Sequence, residues 1–397
     1  MRVTHLITRL IVGGAQENTV ATVLGLSQYP GLSVRLISGP TSGPGGSLES
    51  SFASLPNVLT LLPNLVRPVH PWKDSLALLQ LTRIFRHDRP HLVHTHSGKA
   101  GILGRLAAHR AGVPIIIHTI HGPSFGAFQS VLANQIFRTA ERYAGRRTTH
   151  FVSVANAMTE QYLAAGIGRP EQFTCIRSGF ALSPFLNPKN DSSCRASLGI
   201  PSTDFVIGMI ARLINLKGHD DLIAAAPALV KSCPRTKFLL VGDGSWRERL
   251  ETKVRVMAMA PHFLFAGLVR PEEIPRYVRA MDVLVHLSRR EGLARALPQA
   301  LAGARPIVAY NCDGANEICR PNETGFLVEP GDLEGLTDRL LQLADDAVLR
   351  QRLGERGQQF VKAEFSVERM VEEVYRLYQL LAKSHHLETQ KPEFGAR

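Results

Sequence analysis

Residues 286–306 read HLSRREGLARALPQALAGARP, and the reading of this stretch decides the fold. The apolar run VLVHL, 283–287, is β-branched and leucine-rich, and it passes through Ser288, two arginines, Glu291 and Gly292 into a segment of helical spacing. That pattern predicts a buried parallel strand ending in a loop that feeds a helix. Loops at the carboxyl ends of parallel strands are where α/β sheets bind ligands. Pro298 would break a helix interior, but with a start near Ala294 or Arg295 it falls in the first turn, where the N–H it lacks has no partner to lose. The unpaired N–H groups and dipole of that helix end lie beside Glu291, which predicts an anion there, a phosphate above all.

Working outward, strand and helix patterns alternate to both ends of the chain. VTHLIT is a strand, Gly13 and Gly14 make the turn, and Val20, Val23 and Leu24 recur at helical spacing. The Gly/Ser/Pro-rich PTSGPGGSLESS reads as a surface loop. WKDSLALLQLTRIFRHDRP is expected to turn Trp72, Leu76, Leu79 and Ile84 to the core. HLVHTH, GKAGILGRLAAHRAG and PIIIHTIHG form a βαβ unit. Its histidines, His94, His96, His118 and His121, alternate along strands without cysteine or carboxylate companions at ligand spacing, so no zinc is expected. His121 stands at a strand's carboxyl end. Arg142, Arg146 and Arg147 suit the end of a helix and could also meet anionic head groups. A Ser/Pro/Asn-rich segment then precedes a second alternation, which opens with FVIGMIARL and a loop carrying Arg212, Lys217 and Gly218. Two cations on separate arms of a strand-to-helix turn can grip a diphosphate; a merely solvated basic loop is the alternative.

At 397 residues the chain suits two domains. Hydrophobic residues at 44% and charged residues at 20% exclude a disordered class and allow sizeable cores. The 46 Lys and Arg against 34 Asp and Glu give +12, which favours acidic partners such as nucleoside diphosphates, anionic lipids or nucleic acid without choosing among them. The five cysteines are scattered and odd in number, so free thiols in a reduced, cytoplasmic setting are expected. The opening MRVTHLITRLIVGG is broken by His5 and Arg9, and no apolar run reaches membrane-spanning length.

The order strand, SRREG, helix, LAGARP, strand, DGANE resembles the donor-binding core of the retaining glycosyltransferases of family 4, and the resemblance extends through IVGGAQENTV, HTHSGKAGILGRLAAHRAGVPIIIHTIHG, GMIARLINLKGHDDLI and GANEICRPNETGFLVEPGD. It implies the GT-B fold: two doubly wound Rossmann-like domains facing across a cleft, with a C-terminal helix crossing back to the first. The implied division is 1–185 for the acceptor, 186–203 as linker, 204–365 for the nucleotide-sugar donor, and 366–397 as crossover helix and tail. The implied reaction moves a sugar from a nucleoside diphosphate sugar to an acceptor hydroxyl with retention, in cell-envelope polysaccharide, glycolipid or glycan synthesis. Arg212 and Lys217 would clamp the diphosphate, Glu291 and His121 would take sugar hydroxyls, and Gly13, Gly14, Gly292, Leu293 and Ala294 would line the donor. The family's E-x7-E motif places a second glutamate, thought to hold the donor ribose, at 299, where this chain has Gln299. No Asp-x-Asp occurs, so neither metal nor cofactor is expected beside the co-substrate. The expected partners are the donor, a glycan or lipid-linked acceptor and an anionic membrane met peripherally at the inner face of the cytoplasmic membrane, with no nucleic acid. Other readings stay open here: a nucleotide-sugar epimerase or hydrolase of the same fold, or a catalytically silent sugar-nucleotide binder. A nicotinamide-dependent oxidoreductase lacks its G-x-G-x-x-G spacing.

Overall fold

The computed structural model describes residues 1–41, 46–55, 57–126, 128–186 and 193–387. Parts of the expected surface loop (42–45), the expected linker (187–192) and the tail from 388 lie outside the described residues. The chain divides into two units: Met1–Phe180 together with the segment from Val367 onward, and Ala181–Ser366.

The first unit holds seven parallel strands: β1 (Arg2–Ile7), β2 (Ser33–Ser38), β3 (Leu59–Leu61), β4 (Leu92–His96), β5 (Ile115–Ile120), β6 (His150–Ser153) and β7 (Phe173–Cys175), ordered β3-β2-β1-β4-β5-β6-β7. Helices cover both faces of its sheet, so strands such as IIIHTI are buried along their whole length and lack polar alternation. Val3, Ile7, Leu36 and Ile117 face the helices Gly14–Leu26 and Val367–Ser384. Leu6, Ile37, Val93 and Ile116 face the helices Pro71–Asp88 and Gly98–Arg110. The C-terminal helix buries Met370, Val371, Val374, Leu377, Tyr378 and Leu381, a single stripe at helical spacing. It sits close because residue 25 is glycine: a Cβ there would come within 2.5 Å of Val371 Cγ2. Arg105 and Glu141, both fully buried, meet at 2.6 Å, a pairing that removes two charges from water together.

The second unit holds β8 (Phe205–Ile210), β9 (Thr236–Val241), β10 (Phe263–Gly267), β11 (Val283–His286), β12 (Ile307–Tyr310) and β13 (Gly325–Val328), parallel and ordered β10-β9-β8-β11-β12-β13. In each sheet the unit's first strand lies between two strands reached in opposite directions, β1 between β2 and β4 and β8 between β9 and β11. These are the topological switch points where doubly wound sheets open a crevice at the carboxyl ends of the strands.

Two expectations need correction. Among its described residues, the segment expected as a linker, 186–203, belongs to the second unit, where the Arg195 guanidinium donates to the carbonyls of Ala280 (3.0 Å) and Asp204 (3.1 Å) and pairs with Asp282 at 2.8 Å. With the Ser202 carbonyl at 3.3 Å as a fourth acceptor, this one cation ties the polar stretch down. The helix Pro71–Asp88 buries Ala77, Leu81, Thr82 and Phe85, leaving Trp72 79% exposed and Leu76 and Leu79 also exposed. Its sequence carries two apolar stripes, and the sheet took the one with small Ala77 at its centre.

Ala304, in the turn before β12, has φ 54, a left-handed conformation in which its Cβ crowds the backbone. Ala304→Gly is expected to stabilise the second unit by about 0.5–1 kcal/mol, read as a rise in the denaturation midpoint.

Candidate active site

Two loops meet at the switch point of the second sheet. The loop after β8 carries Arg212 and Lys217 and ends at Gly218, whose φ of 80 and close approach to the β11 loop exclude any side chain: a Cβ would lie 2.1 Å from the carbonyl oxygen of Leu287. The helix His219–Ser232 follows directly. The loop after β11 is bound to it through its backbone, with Arg289 N–H donating to Leu216 O at 2.8 Å and the Ser288 hydroxyl within reach of Leu216 O (3.3 Å) and Arg290 O (2.9 Å). This register brings the Lys217 ammonium onto the Glu291 carboxylate as an ion pair. The Glu291 N–H donates to Asp313 Oδ2 at 2.6 Å, so the loop after β12 holds the same residue from its backbone side.

Burial alone would raise the Glu291 pKa, but the Lys217 ammonium and the Ser288 hydroxyl outweigh it and hold the carboxyl below its ordinary value. Glu291 is therefore an anion at neutral pH. His286 ends β11, directly before the loop that carries Glu291. Its Nε2 is buried without a hydrogen-bond partner among the described residues, 3.9 Å from Glu291 Oε1, and burial lowers its pKa to about 4, so it is a neutral imidazole. Nothing in the pattern VLVHL distinguishes this histidine from a strand-end filler.

Arg212 is exposed, and its guanidinium has no partner among the described residues. Arg289, by contrast, is held by Asp221 at 2.7 Å, and the same carboxylate accepts from the Tyr310 hydroxyl at 2.9 Å. Gly292, Leu293 and Ala294 are buried in the turn before the helix Ala296–Ala302, where Pro298 lies in the first turn as expected. That helix begins at Ala296, just past the expected start near Ala294 or Arg295, and has seven residues, so its dipole is small. Gln299 lies on it, half-buried, with its carboxamide unpartnered among the described residues.

Gly13, Gly14 and His121 belong to the first unit, at the carboxyl edge of its sheet. Gly13 caps the helix Gly14–Leu26 with φ 169 and ψ 158, an extended backbone open to any residue; what glycine provides there is space, since a Cβ would stand 3.0 Å from Gln16 Oε1. His121 follows β5, half-buried, with Nε2 at 3.1 Å from His96 Nδ1 and Nδ1 unpartnered among the described residues. Burial of its ring lowers its pKa to about 4.

Residues 191–360 match the family described as glycosyl transferases group 1, and residues 13–179 match the glycosyl transferase 4-like domain. The UDP-Gal:alpha-D-GlcNAc-diphosphoundecaprenol alpha-1,3-galactosyltransferase of Escherichia coli is 30% identical over 292 residues, covering 72% of this chain and 75% of that protein. This chain belongs to the group 1 glycosyltransferases. The capsular polysaccharide biosynthesis glycosyltransferase CapM of Staphylococcus aureus is 24% identical over 325 residues, 80% of this chain and 84% of CapM. Among solved structures, Anabaena Alr3699/HepE in complex with UDP superimposes with a TM-score of 0.80 at 21% identity, covering 96% of this chain and all of that one, which establishes the GT-B fold for this glycosyltransferase. No described helix is long and apolar enough to cross a membrane.

Proposed function

We propose that this glycosyltransferase moves a sugar from a nucleoside diphosphate sugar, bound by the second unit, to a hydroxyl of a glycan or lipid-linked acceptor bound by the first, with retention and with neither metal nor cofactor. The observation that carries this reading is the Lys217–Glu291 ion pair at the β8/β11 switch point, with Arg212, exposed and unpartnered among the described residues, on the same loop. Arg212 and Lys217 neutralise the diphosphate as it leaves. Glu291, kept ionised, takes donor-sugar hydroxyls; Gly292, Leu293 and Ala294 line the donor; Gln299 meets its ribose. On the first unit, Gly13 and Gly14 border the phosphates and His121 takes a sugar hydroxyl. The catalysis is mostly positioning and charge neutralisation, which needs no protein nucleophile. Named relatives that use UDP-Gal or build capsule support a role in polysaccharide or glycolipid assembly.

A panel of nucleotide sugars tests the reading: a ligand at a hundred times its dissociation constant adds about 2.7 kcal/mol to stability and raises the melting temperature accordingly. Transfer of the donor that binds is expected to survive EDTA. Loss of turnover in EDTA, restored by magnesium or manganese, refutes the cationic clamp, and consumption of donor without any acceptor refutes transfer. A second observation supports membrane contact. Trp72, Leu76 and Leu79 are exposed along one helix, and Val131, Leu132 and Ile136 along another, on a chain of charge +12 that an anionic bilayer attracts.

Gln299 is read as a working substitution. A carboxamide oxygen still accepts a hydrogen bond, and a neutral bond is worth about 0.5–1.5 kcal/mol against about 1.5–3 for one to a charged group, so the substitution weakens donor binding by about tenfold. Gln299→Glu is expected to keep or tighten donor affinity, and Gln299→Ala to weaken it while sparing turnover at saturating donor, both read by titration. A wild type that binds no nucleotide sugar, with Gln299→Glu creating both binding and transfer, identifies a lapsed enzyme.

A further inference from the structure

A row of imidazoles runs through the first unit. In the sheet register His5 stands beside His94, and His96 beside Thr119, so the four side chains share the face that the C-terminal helix covers. His118 pairs with Thr95 and belongs to the opposite face. The contacts form one unbranched sequence. His121 Nε2 meets His96 Nδ1 at 3.1 Å, His96 Nε2 meets His5 Nδ1 at 3.0 Å, and His5 Nε2 meets the Tyr378 hydroxyl at 3.2 Å. The same hydroxyl lies 2.5 Å from His94 Nδ1, and His94 Nε2 lies 2.6 Å from the Thr119 hydroxyl.

A neutral imidazole has one N–H and one bare nitrogen, so in a chain of neutral rings every bond must point the same way. Burial keeps these rings neutral: it lowers His5 to about 3 and His94 and His96 well below the ordinary value. Tyr378 sets the direction. Its phenol has one hydrogen, and O–H donors make the shorter bonds, about 2.5–3.0 Å against about 2.7–3.2 Å for N–H. The phenol therefore donates to His94 Nδ1, and the longer contact is His5 Nε2–H donating to the phenol. His94 Nε2–H then donates to the Thr119 hydroxyl at 2.6 Å, just under the N–H range, whereas the reverse direction would put both Tyr378 contacts outside their ranges. His5 Nδ1 must then accept from His96 Nε2–H, and His96 Nδ1 from His121 Nε2–H. His121 is left with a bare Nδ1.

We infer that His121, His96, His5, Tyr378, His94 and Thr119 form a one-way hydrogen-bond relay that locks His121 in the tautomer with a bare Nδ1, an acceptor matched to a sugar hydroxyl and unable to donate to a phosphate oxygen. His96, His5 and Tyr378 are then positioning residues that act through His121. The inference rests on the reading of His121 as a sugar contact. A metal held by His5, His94 and His96, whose ligand atoms lie within 4.8 Å of one another, is the competing use of the same nitrogens. It is disfavoured because the ring contacts already occupy both nitrogens of each of the three rings.

Nitrogen NMR of the full-length protein labelled with 15N-histidine reads the tautomers without any ligand. The expected result is a protonated Nε2 and bare Nδ1 on His121, with the same pattern on His96 and His5. Protonation on His121 Nδ1 in the wild type overturns the relay, and so does bound zinc or nickel on elemental analysis with the His5, His94 and His96 signals shifted by it. Tyr378→Phe keeps the ring and removes the hydroxyl that sets direction. It is expected to mix the His121 tautomers and to lower kcat/KM for transfer between about twofold and tenfold, with UDP affinity unchanged. An unaltered His121 tautomer in a folded Tyr378→Phe protein contradicts the relay, whereas failure of that variant to fold leaves the wild-type spectrum to decide. With the tautomers as expected, wild-type transfer by His121→Ala overturns the sugar contact alone and leaves the relay standing.

Discussion

Lys217→Ala is expected to lower turnover at saturating donor roughly a hundredfold or more, the loss that follows removal of one preorganised charge-stabilising group. The loop that presents Lys217 is fixed before any ligand arrives, by the left-handed Gly218 packed on Leu287 and by the backbone bonds from the β11 loop to Leu216. The ammonium therefore pays little ordering entropy when a diphosphate binds. Its pairing with Glu291 sharpens the test. Without Lys217, an ionised and partly buried carboxylate faces the same space with its counter-charge gone, so a donor diphosphate meets repulsion as well as a missing cation. Glu291→Gln separates the two effects: it frees Lys217, so UDP affinity should hold or rise while sugar transfer collapses. Equal loss of UDP binding and transfer in Glu291→Gln assigns Glu291 to holding Lys217 in place. Unchanged kinetics in Lys217→Ala make the loop a solvated surface.

Much of this site could be read from residue order, because parallel strands buried on both faces leave a continuous apolar signature and their carboxyl ends are then fixed by the chain. Val283 to His286, and Phe205 to Ile210, are such runs, and the loops carrying Lys217 and Glu291 follow from them. What residue order withholds is adjacency across the sheet. That Lys217 touches Glu291 depends on β8 lying beside β11, a neighbour 74 positions away, and that His5 joins His94 depends on β1 lying beside β4. Tyr378 enters the histidine row from a helix near the end of the chain, and no local pattern announces it. The helix Pro71–Asp88 shows the converse limit, since two apolar stripes compete and only the partner surface chooses between Ala77, Leu81 and Phe85 and the exposed Trp72, Leu76 and Leu79. Composition misled at Arg195 for a related reason: Ser, Pro and Asn suggest a tether, but one well-placed guanidinium fastens it.

The first unit is expected to lose stability steeply between pH 7.5 and pH 5.5. His5, His94, His96 and His118 are fully buried and neutral, with pKa values lowered first by desolvation, His5 to about 3 and the others well below the ordinary value, and burial lowers His121 to about 4. In the unfolded chain each returns to about 6.5. As pH falls below that value the unfolded state binds protons that the folded state refuses, so stability is complete above about 6.5 and drains away as pH descends toward the folded-state values. At pH 5.5, a full unit below the unfolded value, each group costs on the order of 1 kcal/mol, and the five together are a large share of an ordinary domain's stability. His219 and His286 of the second unit, lowered to about 4, act in the same sense but are only two, so the first unit should melt first in acid. Calorimetric scans at half-unit steps across this range should show one transition moving down faster than the other. Replacing His118, which lies outside the relay, with Gln should remove about one proton from the uptake on unfolding and flatten the dependence of stability on pH accordingly. A first-unit stability flat to pH 5.5 would show that these rings are already protonated in the folded protein, and neutral rings are the condition on which a one-way relay depends.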